Sequence, residues 1–230
     1  MIRRLPRWVW FGGTLLALLA GMVNAVGYLS FDHQAVTHMT GTTTLVGVSA
    51  VEGNHAGLIR YLGAMLAFLT GAATSGMIVR DTSLQLGQRY GVALVIESLL
   101  LFAAVPLIHA HANAGLWVAA AACGLQNAMV TTFSGAVVRT THVTGILTDL
   151  GLLIGHRLRG LAIDNRRLRL YLLLFGGFLS GGFVGAYAFG FWRERTLFLP
   201  AVLAALIGFG YILHRRRSLR AARRPKISKR

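Results

Sequence analysis

The chain has 230 residues, 55% of them hydrophobic and 13% charged, and its 23 Lys and Arg against 7 Asp and Glu give a formal charge of +16. A soluble basic protein disperses its cations and a disordered chain lacks apolar residues; here the charges fall in a few clusters between long uncharged runs, which excludes both. The single cysteine, Cys123, excludes an intramolecular disulfide framework and a cysteine-based metal cluster. The composition is that of an all-α integral membrane protein.

A bilayer core of roughly 30 Å requires about 20 apolar residues in helical form. The first stretch to meet this is 8–30, preceded by Arg3, Arg4 and Arg7. Its small residues near Val23 and Ala25 imitate a signal-peptide cleavage site, but the apolar run is longer than a signal core and has a counterpart later in the chain. It is therefore read as a retained span. A short polar piece, 39–51, follows with Thr40, Thr42, Thr43 and Thr44. Full-length stretches come next at 56–79, 90–109 and 114–133. A second short piece, 143–155, carries Thr144, Thr148 and Asp149. Stretches 169–191 and 196–213 complete a single transmembrane domain over 1–213, and 214–230 is a basic tail.

Self-comparison shows a duplication. Residues 21–47 align with 124–151 with one inserted residue, pairing Asn24 with Asn127, His38 with His142, Thr40 with Thr144 and Gly41 with Gly145. Further on, 67–72 (AFLTGA) resembles 177–182 (GFLSGG). The halves run over about 8–109 and 114–213, each reading full span, short polar segment, full span, full span.

The topology depends on whether the short pieces cross. If they are re-entrant, six spans result, the halves form an inverted repeat, and 20 of the 23 cations lie on the cytoplasmic side. If they cross, eight spans form a parallel repeat with 18 cations inside. The positive-inside bias and the shortness of the segments favour six spans plus two re-entrant or broken helices. Both termini face the cytoplasm in either arrangement, and the expected location is the bacterial cytoplasmic membrane.

Irregular backbone at membrane depth survives only when buried in protein or lining a water-filled cavity. Each THxTG element has the composition of such a break, with Thr37 or Thr141 as candidate N-cap and Gly41 or Gly145 leaving room for close backbone approach. If the two short helices turn their N-termini toward each other near the midplane, their free N–H groups favour an anion or a polar solute. The candidate pathway is thus lined by Asn24, His38, Thr40, Gly41, Asn127, His142, Thr144 and Gly145. The competing reading is that these residues satisfy one another as interhelical glue. Glu97 in mid-span and Asp149 after the second THxTG are candidate coupling groups, since carboxylates at membrane depth are functional candidates by default. Their structural alternatives are a neutral acid held against a neighbouring helix and a pair with an Arg of 157–169.

Small residues at four-residue spacing, Gly177, Gly181 and Gly185, with Ala67, Gly71 and Ser75 in the first half, predict close helix packing within the chain or at a homo-oligomer seam. The tail cations suit anionic lipid, and without aromatic interleaving they do not suit nucleic acid. No P-loop, dinucleotide glycine pattern, HExxH or GxSxG is present, so neither an enzyme nor a cofactor or metal site is expected, although paired histidines leave haem as an alternative ligand.

The stretches Gly21 to Ala25, Met39 to Gly41, Gly124 to Ala128 and Thr141 to Leu147 resemble the bacterial membrane family typified by YoaK, a family of unknown function. The resemblance covers roughly residues 10 to 210 and implies a six-span inner-membrane protein without a settled activity. Asn24 stands where that family usually has Asp, and Thr42 where it has Asn; if that Asp couples an ion in relatives, this chain couples differently or not at all. The function expected is a transporter or channel for a small polar solute or ion, with a pathway between the halves. The alternative is a non-transporting membrane protein with a structural, partner-binding or haem-binding role.

Overall fold

The computed structural model describes residues 7–31, 34–79, 88–134 and 139–222. They are helical, with no strand among them: α1 (Arg7–Ser30), α2 (Met39–Val51), α3 (His55–Ile78), α4 (Gln88–His109), α5 (Asn113–Ser134), α6 (Val143–Leu158), α7 (Asn165–Trp192), a 3-10 helix (Arg193–Leu197) and α8 (Phe198–Ala222). Five segments are long and apolar enough to cross a membrane, and the fifth, Asn165–Arg216, contains α7, the 3-10 helix and most of α8.

Local chemistry sets the ends. Gly53 and Gly160, at φ +68° and +73°, adopt left-handed turns after α2 and α6 that side chains with a Cβ rarely reach. The Asn54 carboxamide oxygen accepts from the Gly57 N–H at 2.9 Å and caps α3. Asp164 does the same for α7, accepting from the N–H groups of Arg166 (2.9 Å) and Arg167 (3.3 Å), so α7 begins before the expected residue 169. α8 runs on through Ala222, past the expected boundary at 213. Residues 223–230 of the basic tail, and the Arg3, Arg4 and Arg80 topology signals, lie outside the described residues.

The packing interlocks the two halves. α1 pairs with α7, and α3 with α5, so a first-half helix meets a second-half helix at both crossings. A Cβ at Gly181 would meet the Leu18 carbonyl oxygen, and one at Gly21 the Phe178 carbonyl oxygen. At the other crossing, Gly71 and Gly124 stand in the same relation to the carbonyls of Ala121 and Phe68. The duplicated positions thus make the same contact twice. The Gly177–Gly181–Gly185 stripe packs within the chain against Thr14, Leu18 and Met22. Glycine is required at these crossings because the backbones touch without an intervening side chain.

These contacts also give directions. Gly177, Gly181 and Gly185 meet successively later residues of α1, so α1 and α7 run the same way. α3 and α5 are likewise parallel, with Arg60 beside Asn113 and Gly71 beside Ala121. α4 and α8 are antiparallel, since Gly91 meets Gly208 and the Phe102 ring meets Phe198 at 5.5 Å. α4 turns directly into α5, with Gly115 folded onto Ile108. The hydrophobic core is divided accordingly. One cluster joins the end of α1 (Val23, Val26), Val36, the end of α4 (Val105, Ile108) and the start of α5 (Leu116). A second joins the start of α1 (Val9, Ala17), the start of α4 (Tyr90, Leu94), α6 (Ile146, Leu150) and the start of α7 (Leu170, Leu174), and a small third one links Leu19 and Met22 of α1 to Ala204 of α8.

Candidate functional site

After α1 the chain folds back on it. Val36 packs against Gly27, where a Cβ would collide with the Val36 side chain. One residue on, the Asn24 carboxamide oxygen accepts from both the Thr37 N–H (3.0 Å) and the Thr37 hydroxyl (2.9 Å). Asn24 lies six residues before the end of α1, or about 9 Å at 1.5 Å per residue. The first turn of α2 therefore begins well inside the end of α1, and the tight turn at Gly53 returns the chain to α3, on which α2 packs.

Thr37 was the expected N-cap, but its hydroxyl is committed to Asn24. The N-cap positions are His38 in α2 and His142 in α6, and neither makes a side-chain capping bond. The first intrahelical bonds are Thr42 N–H to His38 C=O (3.0 Å) and Ile146 N–H to His142 C=O (3.1 Å). The N–H groups ahead of these have no acceptor within their own helix, which is the general condition of a helix start. The spacing from His to Gly has a local reason: each imidazole folds back over the glycine three residues later, and a Cβ at Gly41 or Gly145 would strike the ring of His38 or His142. The room expected there for backbone approach is occupied by histidine.

The predicted pathway residues assemble within each half. Asn24 and Asn127 are half-buried, Gly41 and Gly145 are half-buried, and His38, Thr40, His142 and Thr144 are exposed on the chain's own surface. No hydrogen bond among the described residues joins the first-half set to the second. α2 docks on α3 and α6 on α7, and the two short helices share no extensive interface. The anticipated face-to-face meeting of their N-termini is not formed by packing between them. The halves also differ in detail: Asn127 Oδ1 and the Thr140 hydroxyl are buried without a hydrogen-bond partner, in contrast to the Asn24–Thr37 anchor.

The two acids separate sharply. Asp149 Oδ1 lies 3.3 Å from a guanidinium nitrogen of Arg167, whose Nε donates to the Tyr171 hydroxyl at 2.9 Å. That is the structural alternative foreseen for Asp149. Glu97 is 2% exposed, and its Oε2 is buried without a partner.

Two features went unread in the sequence. Gln126, fully inside the bundle, donates from Nε2 to the Leu16 carbonyl at 3.0 Å and ties α5 to α1. Its signal was the polar residue between Gly124 and Asn127 in an otherwise apolar span. A cavity of about 370 Å³ lies between the end of α4 and the 3-10 helix, lined by Val105, Pro106, His109, Glu194, Arg195 and Phe198. Pro106 within an apolar helix was the clue there. No group of three or more His, Cys, Asp or Glu suited to a metal occurs among the described residues.

Over 142 residues the chain is 26% identical to the UPF0700 transmembrane protein YoaK of Bacillus subtilis (strain 168), a match covering 60% of this chain and 63% of that protein. The match therefore spans less than two thirds of the relative's length. No solved structure matches the chain. The family model described as protein of unknown function (DUF1275) matches residues 12–210, and the chain is a multi-pass membrane protein belonging to that family.

Proposed function

We propose that the chain is a transporter or channel of the cytoplasmic membrane for a small polar solute or ion, with six crossings, two re-entrant helices and both termini in the cytoplasm. The observation that carries this reading is the pair of helix starts without side-chain caps, the first of them set about 9 Å inside the end of α1. Lipid cannot satisfy backbone at that depth, so water, solute or protein must. Helix directions support six crossings. α1, α4 and α7 run one way and α3, α5 and α8 the other, so α1 and α3 are opposed although α2 lies between them. α2 then enters and leaves from one side. α5 and α7 are opposed in the same manner around α6, which makes the halves an inverted repeat with one re-entrant element on each side. Substrate binding at the helix starts would draw on free N–H groups, Thr40 or Thr144, and the histidine that covers each first turn.

The test is tracer flux of candidate ions and small solutes into proteoliposomes. The reading predicts flux by the native chain and its loss in His38→Ala and His142→Ala at unchanged thermal stability. Unchanged flux in both variants removes these residues from the pathway. The separate docking of α2 and α6 favours a second reading, a structural or partner-binding membrane protein, which predicts no flux for any solute tried.

A further inference from the structure

Glu97 lies in the middle of α4, nine residues before Pro106, in an otherwise apolar stretch, and it is 2% exposed. The helices around it offer no counter-charge. α5 contributes a single titratable group, the buried thiol of Cys123. α8 carries Tyr211, His214 and Arg215, but at the end that packs beside Gly91, since Gly91 meets Ile212. The charged groups of the 3-10 helix, Arg193, Glu194 and Arg195, lie near His109, and Glu194 approaches His109 at 3.8 Å. α3 has His55, Arg60 and Tyr61 at its start, where Arg60 donates to Asn113. On α4 itself the nearest charged neighbours are Arg89 and His109, eight and twelve residues away, or about 12 and 18 Å along the axis. Glu97 belongs neither to the His109–Glu194 pair nor to the Asp149–Arg167 pair.

A carboxylate in such a place carries an uncompensated charge out of water, a state far costlier than the neutral acid. Burial alone would be met more simply by an apolar residue: the aligned position of the other half, by the 67-to-177 correspondence, is Ile207. We infer that Glu97 is a proton-binding site of the bundle, holding its proton in this conformation and exchanging it with water when α4 parts from α5 or α8. This rests on the transport reading for its use, because it makes the solute movement proton-linked, but the binding of the proton stands on the residues named here. Asp149, which faces the Arg167 guanidinium at 3.3 Å, is the contrasting acid.

The experiment is infrared spectroscopy of the full chain in liposomes at neutral pH, with the proton and deuteron as probes. A protonated-carboxyl stretching band is expected in the native chain, absent from Glu97→Gln and retained at a displaced frequency in Glu97→Asp, which keeps the acid if the amide variant folds poorly. In D₂O the band should shift as the deuteron replaces the proton. A native chain without the band, or one in which Glu97→Gln leaves it intact, overturns the assignment. A band that never shifts in D₂O marks a sealed structural acid and equally overturns it. Failure of solute flux in the histidine experiment leaves this spectrum unchanged, so the two readings fail separately.

Discussion

The two halves are alike where backbones cross and unlike where the short helices are anchored. Gly21 on Phe178 and Gly181 on Leu18 are matched by Gly124 on Phe68 and Gly71 on Ala121. Both histidines fold over the glycine three residues on. Yet Asn24 fixes Thr37 with two hydrogen bonds, whereas Asn127 Oδ1 has none, and the second half ties its short helix to the following span by an ion pair, Asp149 with Arg167, where the first uses Thr43 on Met65. Duplication has kept the contacts that admit a single residue type and released those that several residues can make. The crossings are scaffold, and the difference between the halves lies at the short helices α2 and α6.

Alanine at the crossings tests the likeness most forcefully. Gly71→Ala and Gly181→Ala each force two backbones apart and should cost at least about 1–3 kcal/mol, to a similar extent in both halves, read as lowered thermal stability in detergent. Gly76→Ala and Gly176→Ala, where a Cβ meets nothing within 4 Å, should not lower it and should gain helix propensity instead. A large loss in one half alone would break the equivalence.

The next effect should expose the unlikeness. Asn24→Ala strips the acceptor from the Thr37 N–H and hydroxyl and is expected to cost about 1–3 kcal/mol, with Asn127→Ala costing less by thermal denaturation. Equal losses would show that Asn127 is anchored as firmly as Asn24. Asp149→Asn should matter less again, at about 0–1 kcal/mol and only at low salt, because the ion pair is partly exposed (43% for the Arg167 side chain, 32% for Asp149). Smallest in stability are Gly41→Ala and Gly145→Ala, where the gain in helix propensity offsets the displaced ring. Their mark is chemical: faster modification of His38 or His142 by diethyl pyrocarbonate.

Much of this was legible beforehand. The boundaries of α2 emerged unchanged at 39–51 because a threonine-rich run between two turns has little choice of length. The repeat announced the paired THxTG elements. Hydropathy could not say that α1 pairs with α7, because a small-residue stripe reveals that a helix comes close without naming which one. It also stopped at 213, whereas Arg, Leu and Ala are good helix formers and carry α8 on to Ala222. The Asn24–Thr37 anchor and the imidazole over glycine were within reach of the motif. Spacing alone, however, does not distinguish a cap from a hydrogen bond to the preceding helix. Glu97 and Asp149 looked equivalent as acids in apolar runs, and only the position of Arg167 in the first turn of α7 separates them.

The central claim is that α2 and α6 enter from opposite faces of the membrane. With Cys123 replaced by Ala, cysteines placed singly at Glu52 and Leu161, both exposed turn positions, can be labelled by a membrane-impermeant maleimide in right-side-out and inverted vesicles. The account predicts that Glu52→Cys reacts only from outside and Leu161→Cys only from the cytoplasmic side. Labelling of both from the cytoplasmic side would mean that the short helices cross, and would contradict it.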